Sequence, residues 1–212
     1  MNAQTQRLLI NGPAGAIECA IDEPPLAQGQ GLRGVVVISH PNPTQGGTLD
    51  NKVVQTLARA FVQMGYRAVR YNFRGIGRSE GGWDEGRGEV EDALAVIQAH
   101  RQPGLPLALG GFSFGAYVTS LAAPQLAEPA ERLVLVGPAA SRFDMAGVPQ
   151  NSVVVHGEQD EVVPLQAVLD WARPQALPVI VVPGVGHFFH GQLPLLKNLV
   201  LRSWHPASGV QA

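Results

Sequence analysis

Cysteine is nearly absent from this sequence. Cys19 is the only one in 212 residues. An intrachain disulfide, a CxxC redox pair and a cysteine-based zinc site are therefore excluded. Charge is sparse as well, at 15% of residues with a formal net charge of −2. No long basic run occurs, which argues against nucleic-acid binding. No stretch of about 18 apolar residues is available to cross a bilayer. The opening residues, MNAQTQRLLINGPAG, hold no apolar core of signal-peptide length. Internal repeats and low-complexity tracts are missing too. These absences predict a cytoplasmic globular protein, monomer or homodimer, whose function involves neither nucleic acid nor membrane.

Hydrophobic residues make up 45% of the chain, enough for a sizeable core. The length suits a single domain over 1–212. The 25 glycines and 17 prolines fall mostly between apolar runs, as punctuation. Those runs are RGVVVISH (33–40), YRAVRYNF (66–73), PLALGGF (106–112), RLVLVG (132–137), SVVVHG (152–157) and PVIVVPG (178–184). Most are too short for a helix and too continuously apolar for a half-exposed strand. They suit a parallel sheet covered on both faces. Helical patterns lie between several of them. LDNKVVQTLARAFVQMG (49–65) puts Val53, Val54, Leu57, Phe61 and Met64 on one face and closes on Gly65. GEVEDALAVIQAHR (88–101) starts acidic and ends basic, as the helix dipole favours. PLQAVLDWARP (164–174) and GQLPLLKNLVLRSW (191–204) supply two more, the second with Pro194 in its first turn. Strands alternating with helices predict an α/β fold with a doubly wound, mainly parallel sheet. An antiparallel hairpin over 6–21 starts it, and DEPPLAQGQG (22–31) follows as a loop. In such sheets ligands bind beyond the carboxyl ends of the strands. The residues of interest should therefore follow the apolar runs.

GFSFG (111–115) is the first of them. It places Ser113 between an apolar run and a helical pattern. The spacing G-x-S-x-G fits a strained strand-to-helix turn that holds a hydroxyl above the sheet edge. Gly111 and Gly115 approach each other in such a bend, where side chains would clash. By itself the motif is short enough to be an incidental serine in a glycine-rich turn. A serine nucleophile needs a base. His187 follows an apolar run in VVPGVGHFFHG (181–191), directly after small residues. His190 competes, but sits closer to the final helix. The base needs an orienting acid. VVVHGEQDEVVP (153–164) offers Asp160, with Glu158 and Glu161 beside it. Asp160 is equally suited to starting the helix that follows. For an oxyanion, the N–H of Phe114 is one donor, and Phe112 is expected to pack under the turn. In SHPNPTQGG (39–47), Pro41 and Pro43 lack an N–H and stiffen the turn, leaving Asn42 as the second candidate. PNP could equally serve only as a rigid loop. NFRGIGRSEG (72–81) fits neither a dinucleotide nor a Walker pattern, so it reads as a tight loop pinned by Arg74. Trp83 stands at the pocket edge or packs beside it.

Together GFSFG, GEQDEVVP, GVGHFFHG, HPNP and NFRGIGRSEG resemble the α/β-hydrolase superfamily, in the superfamily's order and over nearly the whole chain. More narrowly, HPNPTQGGTLDNKVV, YNFRGIGRSEG and GFSFGAYV resemble small bacterial serine hydrolases without a lid. The resemblance implies an eight-stranded sheet with strand 2 antiparallel. It also implies a triad of Ser113, Asp160 and His187, since serine, acid, histidine is the superfamily's chain order. Many members have His-Gly where this chain has His40-Pro41. A dehalogenase would need aspartate at position 113. Only SRFDMAGVPQN (141–151) is available for a cap, which it is too short to form, so an open cleft is expected. The function expected is a carboxylesterase-type serine hydrolase acting on small esters, with no metal or organic cofactor. A thioesterase or amidase with the same triad, and a non-catalytic binding module on this fold, are the alternatives.

Overall fold

The computed structural model describes residues 5–204. The outermost residues of the expected 1–212 domain lie outside that range. The chain begins with the expected hairpin, β1 (Gln6–Gly12) against β2 (Gly15–Asp22). The fully buried strand β3 (Gly34–Ser39) leads to helix α1 (Lys52–Gln63). Asn51 caps that helix by accepting from the amides of Val53 and Val54. Gly65, at φ 90°, turns the chain into β4 (Tyr66–Tyr71). Helix α2 (Arg87–His100), β5 (Leu107–Phe112), α3 (Phe114–Ala122) and β6 (Arg132–Val136) follow. The remainder is β7 (Val153–Gly157), α4 (Leu165–Ala172), β8 (Val179–Val182) and α5 (Leu193–Trp204).

All eight strands form one sheet in the order β1-β2-β4-β3-β5-β6-β7-β8. Strand β2 runs antiparallel to β1 and β4, and the other neighbours are parallel. This is the α/β-hydrolase fold with strand 2 antiparallel. The continuous apolar runs now have their reason. Successive side chains point to opposite faces, and both faces are covered. Val36, Ile38, Val134 and Val136 pack under α1 and α5. Val35, Val37, Leu133 and Leu135 pack under α2, α3 and α4.

Strand β8 ends two residues before the sequence pattern did, just ahead of Pro183, which has no N–H for the ladder. Between β6 and β7 the chain has neither helix nor strand. That segment lies along α4 instead, with the Trp171 indole donating to the Ala146 carbonyl at 3.1 Å and the Val148 amide donating to Gln175 at 2.9 Å. It builds no cap. No helix among the described residues is long and apolar enough to cross a membrane.

The strand order reverses between β3 and β5. Ser39 pairs with Gly111 there, so the segments leaving these two strands diverge from one edge. A crevice opens at that point, where open α/β sheets bind their ligands.

Candidate active site

Ser113 occupies the single residue between β5 and α3. Its backbone stands at φ 55° and ψ −117°, a strained conformation for a side chain. Neighbouring elements hold it there. Its amide donates to the Val136 carbonyl at 2.9 Å, and its carbonyl accepts from Ala116 at 3.0 Å. The flanking glycines make the bend possible. A Cβ on Gly111 would overlap the Gly115 carbonyl, and one on Gly115 would overlap the carbonyls of Ser39 and His40. The sharp turn and the close approach to β3 both depend on these two glycines.

His187 follows β8 in a turn closed by the Phe189 amide donating to Gly186 at 3.2 Å. Phe189 is fully buried and anchors this turn in the core. The Phe112 ring lies 4.9 Å from the imidazole, centroid to centroid. Phe112 thus supports the histidine ring as well as packing beneath the serine turn. Nε2 of His187 stands 3.0 Å from Ser113 Oγ, and Nδ1 stands 2.6 Å from Asp160 Oδ2. A nitrogen that close to a carboxylate carries the proton, so Nε2 presents its lone pair to the hydroxyl. His190 does not join them. It is exposed, in the turn before α5, with its ring against Phe188.

Asp160 contacts both His187 and the turn that precedes α4. Its Oδ1 accepts from the amides of Val162 at 2.9 Å and Val163 at 2.7 Å, which shapes the turn leading to α4. Its Oδ2 takes the histidine. Burial pushes this carboxyl up, but the His187 and Val163 donors outweigh burial and hold it below the usual carboxylate range. Glu158 and Glu161 do other work. Glu158 accepts from the Gly184 amide at 2.9 Å, and Glu161 accepts from the His187 amide at 3.4 Å. Both support the histidine turn through its backbone.

The loop after β3 forms the opposite wall. Asn42 sits between its prolines at φ −50° and ψ 118°. Its side-chain oxygen accepts from the Thr44 amide at 2.9 Å, and its carbonyl accepts from Gly47 at 3.0 Å. No hydrogen bond among the described residues occupies the N–H of Asn42 or of Phe114. The cleft has a volume of about 190 Å³ and is lined by Asn42, Gln45, Asn51, Ser113, Val162, His187 and Phe188. One wall is carboxamide-rich, the other apolar. Larger grooves exist elsewhere, such as one of about 560 Å³ beside Leu94 and Leu126, but none adjoins Ser113. Trp83 is not among the cleft residues. Its ring packs 5.0 Å from Phe114.

The Phe114 side chain is structural in its own right. Its ring is buried at the centre of a cluster with Phe73, Tyr117, Phe143 and Trp83. The cleft positions of Gln45, Asn51 and Phe188 were not singled out from the sequence.

His40 braces the start of this loop. Its ring is fully buried, with Nδ1 donating to the Pro41 carbonyl at 2.6 Å and Nε2 accepting from the Phe73 amide at 3.0 Å. Burial pushes its pKa down from 6.5 to about 4. The unfolded chain therefore takes up a proton near pH 6.5 that the folded chain refuses until about pH 4. Between those limits the unfolded state binds more protons, so stability falls as pH drops and levels off below them. The loss should be on the order of 3 kcal/mol. Urea unfolding at about pH 7 and about pH 4.5 measures it, with His40→Asn as the non-titrating comparison. An equal drop in the variant would remove His40 as the cause.

A family described as serine aminopeptidase, S33, matches residues 30–152. That stretch includes Ser113 and ends before Asp160 and His187. A serine hydrolase without lid from Xanthomonas campestris is 37% identical, covers 99% of this chain and 99% of its own, and superposes with a TM-score of 0.85. An α/β serine hydrolase homologue from Coxiella burnetii is 38% identical over 94% of this chain and 97% of its own, with a TM-score of 0.81. An uncharacterized protein of Rickettsia prowazekii is 28% identical, over 86% of this chain and 82% of its own.

Proposed function

We propose that this chain, which belongs to the serine aminopeptidase S33 family of α/β-hydrolases, cleaves small carboxylic esters through an acyl-enzyme on Ser113. The observation that carries this reading is the hydrogen-bonded row Ser113–His187–Asp160, with contacts of 3.0 and 2.6 Å. Ser113 Oγ attacks the ester carbonyl while His187 Nε2 takes its proton. Asp160 keeps the imidazole in the tautomer that accepts at Nε2 and stabilises the imidazolium that forms. The tetrahedral oxyanion receives hydrogen bonds from the uncommitted N–H groups of Phe114 and Asn42, at the positive end of α3. His187 then protonates the departing alkoxide. Water repeats the sequence on the acyl-enzyme and releases the acid.

The lining supports neutral esters over peptides with a free amino terminus. An aminopeptidase substrate carries an α-ammonium, which a carboxylate in the cleft would recognise. Among the described residues lining this cleft there is no Asp or Glu. Thioesters and amides would use the same triad, and a binding module would need none of it.

An alkyl fluorophosphonate should label the folded protein once, on the peptide containing Ser113. Failure to label folded protein favours the binding module. A panel of p-nitrophenyl esters tests the substrate class. With about 190 Å³ and no cap, acetate and butyrate should react best. Octanoate should be slower by roughly tenfold or more in kcat/KM. Faster cleavage of aminoacyl anilides than of these esters would overturn the ester reading.

A further inference from the structure

One buried ring beside the triad has no part in the mechanism above. His156 is the fourth residue of β7 and is fully buried. Its Nε2 lies 3.0 Å from the Val163 carbonyl and 3.6 Å from Asp160 Oδ2. Both neighbours are acceptors, so Nε2 carries the ring proton. Nδ1 is buried and has no hydrogen-bond partner among the described residues. A second proton would have to sit on that nitrogen, away from water. Burial accordingly lowers the pKa of His156, outweighing the attraction of Asp160 and Val163. The ring is a neutral donor with one working N–H.

Folding alone gives little reason for a histidine here. A buried nitrogen without a partner is unfavourable, and leucine would fill similar space with no such group. The Nε2–H needs a use that offsets this. Val163 supplies one, because it is gripped from both sides. Its amide donates to Asp160 Oδ1 at 2.7 Å, and its carbonyl accepts from His156. The same nitrogen lies 3.6 Å from Asp160 Oδ2, the oxygen that takes His187 at 2.6 Å.

We propose that His156 is a positioning residue, fixing the backbone on the far side of Val163 and thereby the direction in which Asp160 meets His187. The inference rests on the reading of Asp160 as the acid behind His187. It does not depend on which ester is cleaved.

Three variants separate a donor at Nε2 from mere bulk. His156→Gln places an amide N–H near the Nε2 position, His156→Asn places it near Nδ1, and His156→Leu places none. Rates are normalised to sites titrated with fluorophosphonate, so loss of folded protein does not count. His156→Leu and His156→Asn should lose about tenfold or more in kcat with KM within about twofold. His156→Gln should stay within about threefold of the parent in kcat. If the leucine variant does not fold, the asparagine and glutamine pair carries the same comparison. The low-field proton resonance of the His187 Nδ1–H is read alongside and needs no substrate. It should persist in the parent and in His156→Gln, and move upfield or vanish in the other two. Unchanged kcat per titrated site in His156→Leu or His156→Asn, or equal impairment of all three variants, would overturn the proposal. A parent that cleaves no ester would defeat the ester reading instead, while the resonance comparison would still test His156.

Discussion

Ser113→Ala should lower turnover of a short-chain aryl ester by about 10³- to 10⁶-fold and leave the fold intact. The change removes one hydroxyl, whose side-chain partner is His187 at 3.0 Å. Alanine meets the same positive φ as serine, so the backbone strain at the turn is unchanged. Stability should stay within about 1 kcal/mol of the parent. Initial rates on p-nitrophenyl acetate and a thermal melt of the same preparation measure the two halves of this expectation. Fluorophosphonate labelling should disappear with activity. A folded variant that retains full esterase activity would remove Ser113 from the mechanism, whatever its geometry.

The second large effect concerns stability. Asp92→Ala should cost about 3–5 kcal/mol, because it strips a buried guanidinium of its buried partner and leaves it only the exposed Glu91 at 3.2 Å. Asp92 is fully buried on α2. Its Oδ2 accepts from the Arg74 amide at 2.9 Å and from Nε at 3.0 Å, and its Oδ1 accepts from Nη2 at 2.9 Å. The hydrogen bonds that Arg74 donates to Asp92 raise its proton affinity, despite burial. A guanidinium does not deprotonate in a folded protein, so Arg74 cannot escape the loss by giving up its charge. A Cβ on Gly88 would overlap that guanidinium, so the helix lies directly against it. Urea unfolding of Asp92→Ala, with the paired Arg74→Leu/Asp92→Leu variant beside it, measures the effect. The double variant should be the more stable of the two, since no charge is stranded. A loss below about 1 kcal/mol in Asp92→Ala would mean that water reaches Arg74 and screens it.

These two residues mark different degrees of legibility in the sequence. Ser113 could be singled out because its setting is local. An apolar run, two glycines and a helical pattern fall within a dozen residues, and each acts through backbone sterics. Arg74 was readable as a pin for its loop, but its partner was not. Asp92 lies 18 residues on, in a stretch that reads as the acidic start of a helix. Only the packing of α2 on the loop turns that acidic residue inward.

The same division runs through the cleft. Chain order and the motifs pointed to Asp160 and His187, and the fold brings His187 to Ser113 across 74 residues of chain and to Asp160 across 27. Phe114 read as a backbone donor, and its ring proves to be the centre of an aromatic cluster. His156 read as part of an apolar strand. Its relation to Asp160 appears only when the Val163 carbonyl folds back over β7.

By itself the sequence determined the strands, the helices, their alternation and the turn that lifts Ser113. Those features follow from side-chain periodicity, proline and glycine, which act within a few residues. Tertiary structure alone decided which walls face one another and which acids turn inward. These outcomes depend on strand order and crossover packing. Contacts of that kind join residues dozens of positions apart, beyond the reach of any local pattern.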